Sequence, residues 1–230
     1  MAKVMFGGGV AQIRGSDAGT TYSRNRGGAY TRNRVAPIQP STVYQQAVRA
    51  RLTLFSKQWS SLLTQAQRDG WISFASSHPV TDVFGASIVL TGSQMYGRLN
   101  QQLGAAGLTE ISDAPLTSDV ESLATAVLTV APVVPSATIA FSPSPLAATS
   151  HLQVFATPPY GVGKSFVKNA LRLVVTSGAA ETTSFEFQAA YVARFGGLAA
   201  SGQKTTTLCR VIDDVTGFTS VGIRSDYVVP

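Results

Sequence analysis

TTTLCRVI, residues Thr205 to Ile212, is a run of β-branched and apolar side chains. Threonine, valine and isoleucine fit the pleated surface of a strand and crowd the preceding turn of a helix. The run lies between Gly196-Gly197 and Thr216-Gly217, pairs that punctuate the chain as turns. A strand is therefore expected here, with Cys209 as a small packing residue inside it. The same signature recurs on both sides: near Leu123–Val130, then Ala137–Phe141, Leu152–Thr157, Leu171–Val175, Thr183–Phe187 and Thr219–Val229. Pro143-Ser144-Pro145, Pro158-Pro159-Tyr160-Gly161 and Ser177-Gly178 separate them. About seven short strands over about 100 residues predict an immunoglobulin-like or fibronectin-III-like sandwich. Ala189 to Phe195 interrupts the pattern as a helical turn crossing between sheets.

Upstream, Gly107 to Pro135 is rich in Ser, Thr, Ala, Pro and Asp and reads as a linker leading into the first strand. Before it lies helical periodicity. Tyr44, Val48, Leu52, Phe55, Trp59 and Leu62 recur at steps of three and four, one continuous apolar stripe. Thr42 with Gln45 fits a capping box at its start. Thr64 with Gln67 opens a second helix with Trp71, Phe74 and Ala75 on its apolar face, ended by His78-Pro79. Val83 to Leu90 reads as a strand. Thr91 with Gln94 then opens a third helix, striped by Met95, Leu99 and Leu103 and stopping at Gly104. Trp59 and Trp71 lie on these stripes, which favours core packing over ligand stacking.

The first 40 residues are glycine-rich and lack helical periodicity. YSRNRGGAYTRNR, Tyr22 to Arg34, repeats one phrase around Gly27-Gly28, with four arginines and no acid. Alternation puts Tyr22, Arg24 and Arg26 on one strand face and Tyr30, Arg32 and Arg34 on another. Val10–Arg14, Thr20–Arg26 and Ala29–Val35 read as short strands broken by glycine, and Pro37 and Pro40 end the segment. No face is apolar enough for a core, so an extended arm that gains order from a partner is expected.

Charge follows the same division. Residues 1–100 hold eleven Lys/Arg against three acids, whereas residues 101–230 hold seven against nine. A one-sided positive arm calls for an anionic partner surface. Nucleic-acid tails carry runs of lysine and arginine, but here arginine alternates with Ser, Thr and Asn, the pattern of a strand laid on an acidic or carbonyl-rich protein surface. A protein partner is favoured over nucleic acid. Arg49 and Arg51 either extend the basic surface or solvate the flank of the first helix.

No catalytic or cofactor chemistry is evident. One cysteine excludes an internal disulfide framework, and His78 and His151 do not sit at metal-ligand spacing. Gly161-Val162-Gly163-Lys164-Ser165 resembles the end of a phosphate-binding loop, but the leading glycine position is Pro158 and Phe166–Val175 reads as a strand. Asp213-Asp214 reads as a turn and Asp82 as a cap or ion-pair partner. No apolar run is long enough for a membrane span, and no secretory signal is visible.

The stretch from Tyr22 to Leu108 (Ser23-Arg24-Asn25-Arg26-Gly27-Gly28-Ala29-Tyr30, Arg32-Asn33-Arg34, Pro37, Gln45 to Arg49, Trp59, Leu63 to Arg68, Trp71, Pro79-Val80-Thr81-Asp82, Phe84-Gly85, Leu90-Thr91-Gly92) resembles a family of proteins of tailed bacteriophages and prophage-like loci. In that family a sandwich-like tail follows, with a segment similar to Phe155–Pro159 and Ser165–Lys168. The resemblance brings no catalytic residues and implies a virion component.

The expectation is an α+β multidomain chain: an extended basic arm (1–40), a small three-helix unit (41–107), a linker and first strand (108–135) and an all-β sandwich (136–230). The expected function is non-enzymatic: a capsid decoration or cementing protein, with a tail or head-fibre component or a nucleic-acid packaging protein as alternatives. Tyr22, Arg24, Arg26, Tyr30, Arg32, Arg34, Arg49 and Arg51 would meet other capsid or tail subunits. A homo-oligomer, synthesis in the bacterial host cytoplasm, and no cofactor, metal or membrane are expected.

Overall fold

A computed structural model describes residues 2–5, 7–10, 12–34, 41–131 and 135–230. At the N-terminus, β1 (Ala2–Lys3), β2 (Gly15–Asp17), β3 (Thr20–Asn25) and β4 (Gly28–Asn33) form one antiparallel sheet in the order β1-β4-β3-β2. The arm thus pairs with itself, where the sequence reading expected it to wait for a partner. The cause is the turn: Asn25 pairs with Gly28, and the Asn25 carboxamide oxygen accepts the Gly27 N–H at 2.9 Å. Gly28 takes φ +104°, a conformation open to glycine. Residues 12–14 are not a strand; β2 begins only at Gly15. Pro37 and Pro40 lie outside the described residues. No residue of β2, β3 or β4 is buried, so these strands have no core of their own.

Helices α1 (Val43–Ser61), α2 (Gln65–Ser77) and α3 (Gly92–Ala106) start where the threonine caps predict. Thr42 Oγ1 accepts the Gln45 N–H, and Thr64 and Thr91 complete reciprocal boxes with Gln67 and Gln94. Their core gathers Phe55, Leu63, Trp71, Phe74, Ala75, Met95, Tyr96 and Leu99. Tyr96 is its hub: its ring lies 5.4 Å from Trp71 and 6.2 Å from Phe55, and its hydroxyl donates to Gln58 Oε1 at 2.8 Å. Three expectations change. Helix α3 runs past Gly104 to Gly107, whose φ of +76° makes the left-handed cap. Val83–Leu90 is not one strand; β5 (Val80–Thr81) and β6 (Ser87–Ile88) form a hairpin, because Asp82 Oδ1 accepts the N–H groups of Phe84 and Ala86 and Gly85 adopts φ +82°. The α1 stripe is only partly used: Phe55 is buried and Trp59 half-buried, while Tyr44, Val48, Leu52 and Leu62 are exposed.

The segment read as a linker is pinned to these helices. Asn100, fully buried, exchanges hydrogen bonds with the Ile111 backbone at 2.8 and 3.0 Å. The Trp71 indole N–H donates to the Ser112 carbonyl at 2.8 Å, and Ile111 and Ala114 pack on the helical core. Low apolar content hid this, since the tie runs through backbone polar groups.

Strands β7 (Thr125–Ala131), β8 (Ser136–Ser142), β9 (Ser150–Ala156), β10 (Tyr160–Gly161), β11 (Arg172–Ala179), β12 (Ser184–Glu186), β13 (Gln203–Asp213) and β14 (Ile223–Val228) make the expected sandwich. One sheet runs β12-β8-β7; the other runs β11-β9-β13-β14, with β10 resuming the β9 pairing along β13 beyond Pro158-Pro159. Strands β7, β8 and β12 against β9, β11, β13 and β14 is a fibronectin-III-like arrangement. Leu128, Val130, Ile139 and Phe141 meet Leu152, Val154, Cys209 and Val211 between the sheets. Helix α4 (Gln188–Phe195) crosses where the sequence predicts, placing buried Tyr191 in the same core. Phe166–Leu171 departs from its expected strand, forming instead a short 3-10 turn over Lys168–Ala170 before β11. The β13–β14 connection rests on the helices: Gly217 at φ +72° lies against Leu99, and the Phe218 ring is 6.0 Å from Phe74.

Candidate interaction surface

Residues paired across an antiparallel ladder share a face, so the register of β3 and β4 fixes where each arginine goes. Tyr22 opposes Thr31 and Arg24 opposes Ala29; Ser23 opposes Tyr30 and Thr21 opposes Arg32. Tyr22 and Arg24 therefore emerge on one face, and Tyr30 and Arg32 on the other. The doubled phrase yields a two-sided ribbon, each side offering one tyrosine and one arginine. Arg26 sits in the two-residue turn and Arg34 just beyond β4, where its N–H donates to the Gly19 carbonyl at 2.7 Å. Both tyrosines are half-buried and the four arginines exposed. Among the described residues no ion pair is recorded for Arg24, Arg26, Arg32 or Arg34. The tip residues Asn25, Arg26 and Gly27 border a cleft shared with Val80, Asp82 and Leu90.

Arg49 and Arg51 part company. Arg51 turns inward and donates to the Gly104 carbonyl at 2.8 Å, tying α1 to α3, while Arg49 stays exposed.

The other sequence motifs take structural positions. The Lys164 N–H donates to the Gly161 carbonyl in a turn between β10 and the 3-10 segment, and β11 rather than an α-helix follows that segment. Asp213 accepts the Thr216 N–H at 2.9 Å, and Asp214 lies 3.4 Å from His151 Nε2. Burial pushes the Cys209 thiol up to about 12, a smaller opposing effect coming from Thr207. Burial, then the Glu110 charge, raises Tyr96 to about 12.

One cluster had no sequence signal because it joins three strands, with Thr206 opposite Asp226 and Tyr160 opposite Lys204. Tyr160 and Thr206 hydroxyls bond to each other, Thr206 donates to Asp226, and Lys204 and Arg224 both reach Asp226 at 3.0 Å. Partial burial pushes the Asp226 carboxyl up, but hydrogen bonds from Arg224, Thr206 and Lys204 outweigh it and hold it at about 2.

Among the described residues no group of three or more His, Cys, Asp or Glu could hold a metal ion, and no helix is long and apolar enough to cross a membrane.

No protein-family model matches the chain, and no curated protein matches it. Among solved structures it is similar to FN3tt, at 6% identity over 47% of this chain and 91% of that one, with a TM-score of 0.31. It is also similar to an Fn3-like protein from Clostridium thermocellum, at 11% identity over 50% of this chain and 96% of that one, again with a TM-score of 0.31.

Proposed function

We propose that this chain is a non-enzymatic structural protein of a phage particle, a decoration or cementing protein that binds neighbouring subunits through its N-terminal sheet. The observation that carries the reading is a sheet without a core: no residue of β2, β3 or β4 is buried, and each face presents a tyrosine beside an arginine that makes no ion pair among the described residues. Small two-sided ribbons of this kind gain stability when a partner covers them. Tyrosine contributes contact area at low entropic cost, and arginine makes charge-assisted bonds to carboxylates. Two equivalent faces suit a strap inserted between two protein surfaces better than a tail lying on one strand of nucleic acid. The layout follows: segment 1–40 straps, the helical unit 41–107 seats it, and the sandwich 136–230 projects from the particle surface. Symmetric repetition of that contact makes the chain an oligomer on the particle, assembled in the host cytoplasm.

The test compares wild type with Arg24→Glu/Arg32→Glu, one reversal on each face, for binding to particles assembled without this chain. Each lost charge-assisted bond is worth roughly 1.5–3 kcal/mol, so at least a tenfold loss is expected. Unchanged binding contradicts the proposal. Binding to duplex DNA at about 150 mM salt with a steep salt slope would replace it with a packaging role.

A further inference from the structure

Helices α1 and α3 leave an open groove of about 550 Å³, lined by Leu52, Phe55 and Trp59 from α1 and by Gly97, Arg98 and Gln101 from α3. It is the unpaired continuation of the α1 stripe. Val48 is 49% exposed and Leu52 55%, about two turns and one turn from the buried Phe55. A glycine inside a helix costs stability relative to alanine, so it calls for a reason. Nothing among the described residues supplies one for Gly97: a Cβ built there meets no atom within 4 Å. What the missing side chain does leave is room for another backbone to approach between the helices.

Charge says which backbone. Neither α1 nor α3 contains an acidic residue. Arg98 lines the groove and Arg49 stands one turn before Leu52, and no ion pair is recorded for either among the described residues. A second copy seated groove to groove would set arginine against arginine. A helix with apolar side chains at three- and four-residue spacing and Asp or Glu beside them would fill the groove and neutralise both cations.

We propose that the α1–α3 groove docks an amphipathic, acidic helix of a partner protein. The surface is separate from the Tyr-Arg faces of the N-terminal sheet, and its test uses no particle, so it stands or falls independently of the strap.

The probe is a fluorescein-labelled peptide of about 18 residues, with leucine at helical spacing and glutamate on both flanks, alongside its lysine counterpart. Full-length wild-type protein should bind the glutamate peptide, with a change in tryptophan emission because Trp59 lines the groove. Gly97→Leu occupies open space and keeps the fold, checked by a circular dichroism melt no lower than wild type; it should weaken binding at least tenfold. Arg98→Glu should lose the glutamate peptide and take up the lysine one. No binding of the glutamate peptide, equal binding of both peptides by wild type, or full affinity in Gly97→Leu would each overturn the proposal. So would a wild-type dimer in sedimentation that Gly97→Leu dissolves, because a second copy would then own the groove.

Discussion

Replacing Asn100 with alanine should destabilise the protein by about 3 kcal/mol. Asn100 is fully buried, and its carboxamide both accepts from the Ile111 N–H at 2.8 Å and donates to the Ile111 carbonyl at 3.0 Å. Its third bond, to the Tyr96 carbonyl at 3.2 Å, backs up an oxygen that the helix ladder already serves, so its loss costs little. Truncation leaves two backbone groups of Ile111 with no partner, at about 1–3 kcal/mol each, and water reaching the vacated site recovers part of that. For a chain of this size about 3 kcal/mol lowers Tm by roughly 6–12 °C. Urea unfolding followed by tryptophan emission is a suitable assay, because the Trp71 indole is bonded to Ser112, next to Ile111. Hydrogen exchange adds a local readout: the Ile111 amide should lose protection before the helices do. Asn100→Asp keeps the acceptor but buries a carboxylate, so its deficit should shrink as pH falls. A loss below about 0.5 kcal/mol with the Ile111 amide still protected would refute the claim that residues 108–114 are locked to the helices.

Asp226 gives a pH prediction. Its carboxyl sits at about 2 in the fold against 3.8 unfolded, so the native state binds fewer protons in that window and stability falls as pH drops from about 4 towards 2. Acid unfolding of Asp226→Asn should lack that component; identical acid curves would contradict it. Cys209 should not react with a thiol reagent in native protein near neutral pH and should react once urea unfolds the chain, since burial holds it protonated. Gly217→Ala should cost roughly 2 kcal/mol, because the backbone is left-handed at φ +72° and a Cβ would come 3.2 Å from Leu99; a neutral effect would place the β13–β14 loop elsewhere.

What could be read from the residues was what local chemistry decides. Thr42, Thr64 and Thr91 with their following glutamines marked the helix starts, because capping depends on side chains within one turn. The runs around Ile139, Val154 and Val211 marked sandwich strands, because the face a strand buries between two sheets is apolar and β-branched residues fit its pleat. Choices made by pairing were not legible. Whether Tyr22–Arg34 reaches outward or folds back depends on register, which the Asn25–Gly28 turn sets and the alternation alone cannot. The same turn chemistry, Asp82 with Gly85, split Val83–Leu90. The α1 stripe looked like core because periodicity reports which face is apolar, not what covers it. The inward turn of Arg51 to Gly104, and the reach of Lys204 and Thr206 to Asp226, join residues far apart in sequence, where no spacing rule applies.

Quantitative mass spectrometry of purified phage particles would decide whether the chain is a virion component. If the chain is a decoration or cementing protein, it should be present in many copies, in a fixed ratio to the major shell or tail subunit. Particles that contain none of it, while the chain accumulates free in the lysed host, would contradict the account.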